Sequence, residues 1–358
     1  MEDKRSKDIS HFTREFVEDL AREENLILLG AVDLNLDPFY YKKYLDWIKN
    51  GNQAGMSYME NYQQFRESPA LLVEGAQSAL IFAYNYFAGD KLIEVKKGPP
   101  RIAMYARLRD YHKYLRVKSE NILKKLRIHS PEIRSRVFVD SGPFLEKALA
   151  TKSQKGFIGK NSLFIHPELG SYFSMVEIFI DEKVVYDKKE SVDPSTRSSL
   201  GGCGSCKRCQ THCPTGALSE DYVLDARKCI SYWTIEHRGP VPKEFWPHFK
   251  QYVFGCDICQ LACPYNRGAS LTEKTYAQLG AHINLFEVAT MDQDFYEKTF
   301  GGTPLTRAKK EGLQRNALIA LFVTKDPRLE EAVSFLEKST HLASDNLRET
   351  IRELTTTL

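Results

Sequence analysis

The sequence predicts a multidomain α+β chain in three parts: an α/β domain over residues 1–190, a cysteine module over 191–267 and a helical tail over 268–358. Three observations carry that reading. Four short apolar runs, with a helical pattern among them, fall in the first part. All eight cysteines lie between positions 203 and 263, a window of 61 residues, and the other 297 residues contain none. The remainder of the chain reads as helix.

The elements follow in order. Leu26–Val32 (LILLGAV) and Ala79–Phe87 (ALIFAYNYF) are apolar runs rich enough in Ile, Val and aromatics to be buried strands. Tyr105, Leu108, His112, Leu115, Ile122 and Leu126 then recur at spacings of three, four and seven, which predicts a helix with an apolar stripe. Arg134–Asp140 (RSRVFVD) and Tyr172–Asp181 (YFSMVEIFID) are the third and fourth strands. The domain is therefore α/β or α+β around a sheet. Residues 187–202 (DKKESVDPSTRSSLGG) have the composition of a linker. Past the cysteines, Gly312–Val323 (GLQRNALIALFV) predicts an apolar-faced helix, with further helices at Arg328–Lys338 and Asn346–Leu358. Helix pairs of this size resemble one or two HEAT-type repeats, although no internal period is visible.

At 358 residues, the length prior of roughly 150 residues per domain gives two to three domains, enough to bury a core without disulfides. With 42% hydrophobic and 27% charged residues, wholesale disorder is excluded. Mean hydropathy is −0.41, and no apolar run approaches the roughly 20 residues of a membrane span. The N-terminal MEDKRSKDISHFTREF has neither the apolar stretch nor the cleavage site of a secretory signal, so the expected compartment is the cytoplasm.

In that compartment, clustered cysteines point to metal ligation rather than disulfides. The first run is Cys203-x2-Cys206-x2-Cys209-x3-Cys213-Pro214. This is the spacing of bacterial two-cluster ferredoxins. Three thiolates in one tight loop hold three irons of a cubane, and the fourth reaches the neighbouring cluster. A partial run, Cys256-x2-Cys259-x3-Cys263-Pro264, lacks one ligand, and Cys229 is the only cysteine left to supply it. The count then closes as Cys203, Cys206, Cys209 and Cys263 for one [4Fe–4S] cluster, and Cys213, Cys229, Cys256 and Cys259 for the other. Two four-cysteine zinc sites are the competing reading, but successive x2 spacings ending in x3-C-P are unusual for a zinc ribbon. Two adjacent clusters form a short wire for single electrons, and the rest of the chain should hold what uses them.

No G-x-G-x-x-G fingerprint opens a helix after a strand and no Walker A motif is present, so a Rossmann nicotinamide site has no support. What stands out is Val139-Asp140-Ser-Gly-Pro-Phe-Leu-Glu146-Lys-Ala, then Lys155-Gly-Phe-Ile-Gly-Lys-Asn161-Ser-Leu-Phe164-Ile and Pro167-Glu168-Leu-Gly-Ser-Tyr172. Asp140 ends a predicted strand, where α/β sheets collect ligands and catalytic groups. Equally, it is placed to cap a helix begun by Pro143.

These stretches, with Arg109-Asp-Tyr-His112, the doubled cysteine run followed by Pro-Thr-Gly-Ala, and Gln314-Arg-Asn-Ala, resemble the epoxyqueuosine reductases. These are cobalamin and iron–sulfur enzymes of tRNA queuosine synthesis, themselves similar to reductive dehalogenases. The resemblance covers nearly the whole chain in the family's order. It implies an N-terminal cobalamin-binding domain with a nitroreductase-like sheet, a ferredoxin-like module with two [4Fe–4S] clusters and a HEAT-like tail. It also implies base-off cobalamin, and D-x-H-x-x-G is absent: Asp110-Tyr-His112-Lys-Tyr-Leu115 has Leu in place of Gly. His112 is then either near the active site or a core histidine of the stripe.

The resemblance aligns the family's proton donor with Asp140. A carboxylic acid held neutral in a partly desolvated site would protonate the alkoxide left by epoxide opening. Loss of water then leaves the cyclopentene of queuosine. Cobalamin contacts implied by the resemblance are Arg66, Ala103, His112, Asp140, Phe164 and Met175, with Ser231 and Asp257 from the cysteine module. Phe164 and Met175 also suit plain core. Ser231 follows Cys229 and Asp257 follows Cys256, which places the second cluster nearer the cobalt. A low-potential donor such as a ferredoxin or flavodoxin and a monomeric state are further implications.

The net charge of +3 does not demand a nucleic-acid partner, but its distribution is uneven. Residues 101–136 carry eleven Lys or Arg against Asp110, Glu120 and Glu132, a local net of +8, leaving about −5 for the rest. Arg307, Lys309, Lys310 and Arg315 form a second basic cluster. Either is a solvated helix face or, given the resemblance, a set of phosphate contacts to a tRNA anticodon stem-loop. Tyr232, Trp233 and His237 are candidates to stack on splayed bases, or are module core. The alternative functions are a related cobalamin reductase of a small molecule and a ferredoxin-like carrier or zinc protein. The basic helical tail argues against the first, and the 190-residue N-terminal domain against the second.

Overall fold

A computed structural model describes residues 12–186, 202–271, 279–339 and 344–357. The first part runs α1 (Arg14–Glu23), β1 (Ile27–Asp33), α2 (Pro38–Lys49), α3 (Gln63–Glu67), β2 (Ser78–Asn85), α4 (Leu92–Lys97), β3 (Arg101–Ile102), α5 (Tyr111–His129), β4 (Ser135–Val139), α6 (Glu146–Thr151), β5 (Phe157–Ile158), β6 (Phe164–Ile165) and β7 (Phe173–Ile180). The four predicted strands are present as β1, β2, β4 and β7. They form one sheet in the order β1-β2-β7-β4, antiparallel at every pairing. The domain is thus α+β, which corrects the α/β expectation. The ambiguity has a physical source. Both faces of this sheet are covered, so β2 is buried at every position but its last and reads as a continuous apolar run, as a parallel strand does.

Period-two alternation sorts the side chains between two layers. On one face, Leu80, Phe82, Val137, Val139, Val176 and Ile178 pack with Val17 and Leu20 of α1 and with Leu115, Ile122 and Leu126 of α5. On the other, Ile81, Phe138, Met175 and Phe179 pack with Phe144 and with Leu149 of α6. Helix starts carry side-chain caps: Thr13 accepts from Phe16 N at 3.3 Å, Asp37 from Phe39 N at 2.9 Å and Asp110 from His112 N at 3.1 Å. The Asp110 cap explains why α5 begins at Tyr111 and not at the predicted Tyr105. Met104–Arg107 form a separate 3₁₀ turn whose residues share the apolar period without sharing the helix.

The cysteine module adds α7 (Arg208–His212), β8 (Tyr252–Phe254) and α8 (Ile258–Leu261). It is stitched to the first part: β8 pairs in parallel with β3, Trp47 Nε1 donates to Leu224 O at 2.7 Å, and Asn266 Oδ1 accepts from Ser171 N at 2.7 Å. The expected linker over 187–202 lies outside the described residues except for Gly202.

The tail comprises α9 (Leu285–Thr290), α10 (Gln293–Phe300), α11 (Lys309–Thr324), α12 (Leu329–Lys338) and α13 (Asp345–Thr355). Its helix α11 has no solvent face over most of its length, because every residue from Gly312 to Leu321 is buried. Three of these are polar, and each donates to backbone carbonyls, although the buried Gln314 Oε1 accepts no hydrogen bond among the described residues. Gln314 donates to Met291 O at 3.1 Å, and Asn316 donates to Thr234 O and Val253 O at 2.8 Å each. Arg315 donates to Trp233 O at 2.7 Å, His237 O at 3.0 Å and Gly239 O at 2.7 Å. One hydrophobic core spans Trp246, Phe254, Ala317, Leu321, Leu336 and Leu354, so tail and cysteine module are packed as one body. Among the described residues, no helix is long and apolar enough to cross a membrane.

Candidate active site

A cavity of about 1270 Å³ opens where the three parts meet. Its volume exceeds the range of about 300–1,000 Å³ usual for small-ligand pockets. Asp140 borders it at the end of β4, at φ 51°, a left-handed conformation that costs a non-glycine residue energy and that Asp tolerates better than most. The turn closes because residue 142 is glycine: a Cβ there would stand 2.1 Å from Phe144 Cε1, which packs on Phe138. Asp140 does not cap a helix, since α6 starts at Glu146 after Leu145. The Asp140 side chain is open to the cavity and accepts a hydrogen bond from the Tyr111 hydroxyl. Burial first, then the Asp140 charge, holds the Tyr111 phenol well above its ordinary range, so it remains a donor.

The desolvated carboxyls lie beside Asp140. Burial and then the Asp140 charge push Glu146, at the start of α6, up to about 7. Glu177 on β7 is fully buried, and burial, then Glu146 and Asp140, raise it well above the carboxylate range. Sequence reading passed over both, although a single Glu inside the apolar run YFSMVEIFI was a visible signal. It also passed over Tyr58, Tyr86 and Tyr111, which line the cavity.

Of the predicted cofactor contacts, Arg66, His112, Asp140, Phe164, Met175, Ser231 and Asp257 border this cavity. Arg66 is buried, with its guanidinium on Asn61 O and Tyr58 O. His112 is not a core histidine: its side chain is 42% exposed, bonded to Asp110 Oδ1 at 2.9 Å. Asp257 is buried, accepts from Met104 N at 2.8 Å and is raised to about 6 by burial. Ala103 is the exception. It is buried behind the cavity, donating to Phe254 O at 2.8 Å, and a Cβ on Gly255 (φ 69°) would meet its own Cβ at 2.5 Å. Its small size therefore serves the packing of β3 on β8.

The eight cysteines border two cavities. Cys213, Cys229, Cys256 and Cys259 border the large cavity, whereas Cys203, Cys206, Cys209 and Cys263 line a neighbouring one of about 710 Å³. Arg208 Nε donates to Ala262 O at 3.0 Å, tying the two runs together. Among the described residues, no three Cys, His, Asp or Glu converge as the ligands of a single metal ion do.

The predicted nucleic-acid contacts divide. Arg307 is exposed at the cavity, paired with Glu236 at 3.0 Å and with its guanidinium 5.2 Å from the Tyr58 ring centre. Lys309 is exposed at the same rim, and Lys310 is half-buried beside it. Arg315 is a correction: at 3% exposure, with three backbone carbonyls on its guanidinium, it has nothing left for a phosphate. Trp233 is another, since it is buried and donates to Arg227 O at 2.9 Å. His237 packs on Trp233 at 4.5 Å and bonds Pro240 O at 2.8 Å, a structural placement. The +8 segment is partly neutralised by acids outside it: Arg101 and Arg107 pair with Asp90, Lys125 with Glu23 and Arg134 with Asp181.

Two family profiles match the chain. One, described as epoxyqueuosine reductase QueG, DUF1730, matches residues 66–141, and the other, a 4Fe-4S double cluster binding domain, matches residues 202–266. An epoxyqueuosine reductase from Cyclobacterium marinum is 39% identical over 276 residues, which is 76% of this chain and 86% of that protein. The structure of an epoxyqueuosine reductase from Streptococcus thermophilus matches with a TM-score of 0.80 at 26% identity, covering 94% of this chain and 87% of that one. A further epoxyqueuosine reductase, solved with a tRNA-Tyr epoxyqueuosine-modified stem loop, matches with a TM-score of 0.79 at 24% identity, covering 94% and 88%.

Proposed function

The chain belongs to the epoxyqueuosine reductase family, and from that membership we propose that its large cavity is where the epoxide of epoxyqueuosine is opened, with Asp140 as proton donor. One observation carries the assignment. Asp140, fixed by Tyr111, borders the same chamber as Cys213, Cys229, Cys256 and Cys259, so acid and electron source share one wall system. The protein is an oxidoreductase, and its double-cluster segment is built for two [4Fe–4S] clusters. We assign Cys203, Cys206, Cys209 and Cys263 to one and the cavity-lining four to the other.

The cavity suits cobalamin in volume and in one orphaned donor: Asn161 is buried and lines it, and its Nδ2 has no hydrogen-bond partner among the described residues. Arg66, Phe164, Met175, Ser231 and Asp257 would hold the corrinoid, with His112 at its edge. Bound there, it would supply a strongly reducing centre within reach of single electrons from the clusters. The chain's own part is proton supply. Tyr111 occupies Asp140 Oδ2 and leaves Oδ1 for substrate, and the acid form donates to the alkoxide that would otherwise be a poor leaving group.

The substrate is a tRNA anticodon stem-loop carrying the epoxide, with Arg307, Lys309 and Lys310 as phosphate contacts at the cavity rim. We divide the chain functionally into a cobalamin-binding part (1–190), a two-cluster part (191–267) and a short HEAT-like tail (268–358), fed by a ferredoxin or flavodoxin and acting as a cytoplasmic monomer. The test is anaerobic turnover of an epoxyqueuosine stem loop, read by mass of the product nucleoside. Asp140→Asn should retain the corrinoid spectrum and lose at least about a hundredfold in rate. Undiminished turnover would overturn the assignment.

A further inference from the structure

The strands β5 and β6 form a hairpin of the first part, with Phe157 opposite Ile165 and Ile158 opposite Phe164. Its turn closes where Gly159 N donates to Leu163 O at 2.8 Å and Ser162 N to Gly159 O at 2.9 Å. Phe157 and Ile165 pack with Cys263, Cys203 and Tyr265, so the hairpin lies against the cysteine set Cys203, Cys206, Cys209 and Cys263. At the turn, the backbone N–H of Lys160 donates to Cys203 Sγ at 3.3 Å. A thiolate of this set is therefore hydrogen-bonded by a part of the chain that supplies none of the cysteines.

The side chain of the same residue is also unusually placed. It is 5% exposed, and its ammonium meets Asp221 Oδ2 at 3.0 Å. Gln210, the residue after Cys209, donates from Nε2 to Asp221 Oδ1 at 3.0 Å. Burying an ammonium carries a desolvation penalty that one partly exposed partner hardly offsets, so stability does not account for the placement. Electrostatics does. Asp221 is 43% exposed, so water and salt screen its charge, whereas the ammonium is enclosed beside the cysteines. Lys160 acts on Cys203 more strongly than Asp221 does, and with the opposite sign.

We propose that Lys160 raises the reduction potential of the cluster held by Cys203, Cys206, Cys209 and Cys263, through its amide on Cys203 and its enclosed positive charge. The inference rests on the ligand assignment given above. One-electron reduction adds one negative charge to a cluster and its thiolates. No bond forms or breaks, and the electron comes from a low-potential iron–sulfur or flavin donor. A hydrogen bond to sulfur and a nearby cation both favour the more negative state, and both raise the potential. Lys160 is not among the residues bordering the large cavity, so it acts through Cys203 and not on the substrate. The cluster farther from that cavity is thereby easier to fill than its thiolates alone would make it.

The experiment is an anaerobic redox titration of the reconstituted full chain, followed by electron paramagnetic resonance, with iron content and melting as controls. Two midpoints are expected, one for each cluster. Lys160→Gln keeps the backbone N–H and removes the charge. It should make reduction at one midpoint about tenfold less favourable, about 59 mV for a one-electron couple, and leave the other in place. Lys160→Arg should stay near wild type. Asp221→Asn removes the opposing charge and should make reduction at the same midpoint about threefold more favourable. A packing defect would not reverse sign between the two sites. The midpoint that moves should be the one that survives in Cys213→Ala. An unmoved midpoint in Lys160→Gln overturns the proposal; should that variant lose its iron, an absent or downward shift in Asp221→Asn does so. If Cys213→Ala keeps one midpoint that ignores both substitutions, only the tuning fails; if it keeps both midpoints, the ligand assignment beneath it fails.

Discussion

The Tyr111 hydroxyl donates a hydrogen bond to Asp140 Oδ2, joining the first turn of α5 to the left-handed turn that ends β4. A carboxylate held by a phenol in an otherwise open cavity has one oxygen committed and one available. Tyr111→Phe keeps the ring and its stacking on His112 and removes only the donor. A hydrogen bond to a charged group contributes about 1.5–3 kcal/mol, so kcat should fall by about tenfold or more while corrinoid affinity is unchanged. Steady-state kinetics on the stem loop, set beside a corrinoid titration, checks this; an unchanged kcat would mean that Asp140 is positioned without it.

Arg315 and Arg307 should separate stability from binding. Arg315→Met strands three backbone carbonyls in the core and should cost about 2–5 kcal/mol of stability, read by denaturant unfolding, with no change in the salt dependence of tRNA binding. Arg307→Ala and Lys309→Ala should do the reverse. Melting should stay the same, while the slope of log affinity against log salt drops by about one for each phosphate contact removed.

Iron content should report the exchanged ligands. Cys263→Ala alters the second run but should empty the cluster site framed by the first, and Cys213→Ala should do the converse. Either loss should lower iron from about eight to about four per chain. The Cys213 variant should lose reduction of the corrinoid even where the other cluster is intact. Retention of both clusters in either variant would refute the exchange.

Acid stability should depend on Asp90. Burial raises its carboxyl, but hydrogen bonds and charge from Arg107 and Arg101 outweigh this and leave it below its ordinary value of 3.8. A depressed carboxylate stabilises the fold above the unfolded pKa, and that contribution is lost as pH falls through the folded one. Asp90→Asn should therefore lower stability at neutral pH by about 3–5 kcal/mol and flatten the decline below about pH 4. Unfolding curves at several pH values would test the sign directly.

What could be read from the sequence depended on how local its cause was. The strands were legible because burial on both faces leaves unbroken apolar runs, and the same burial hid their antiparallel pairing. The two cysteine sets were legible because ligand geometry acts over two or three residues. Arg315 was not, because its burial is decided by carbonyls at Trp233, His237 and Gly239, contributed by a distant stretch of chain. Asp140 was singled out by its place at a strand end together with the family resemblance. The structure leaves its side chain open to the cavity while Glu177, on the neighbouring strand β7, is fully buried, which only the fold decides. Ala103 packs against Gly255, just past the end of β8, a contact between distant stretches of chain that no local pattern announces.

The arrangement of the cysteines also bears on how the protein is made. On the proposed ligand assignment, Cys203, Cys206 and Cys209 leave the ribosome first, and the residue that would complete their site, Cys263, is 54 positions further along. The other site waits for Cys259, only four positions before it. Translation therefore closes both sites almost in the same moment, after nearly three quarters of the chain has been made. A nascent chain halted between the two runs would hold five thiols and no finished cage. Under that assignment neither cluster site is complete before β8 and α8 have been made.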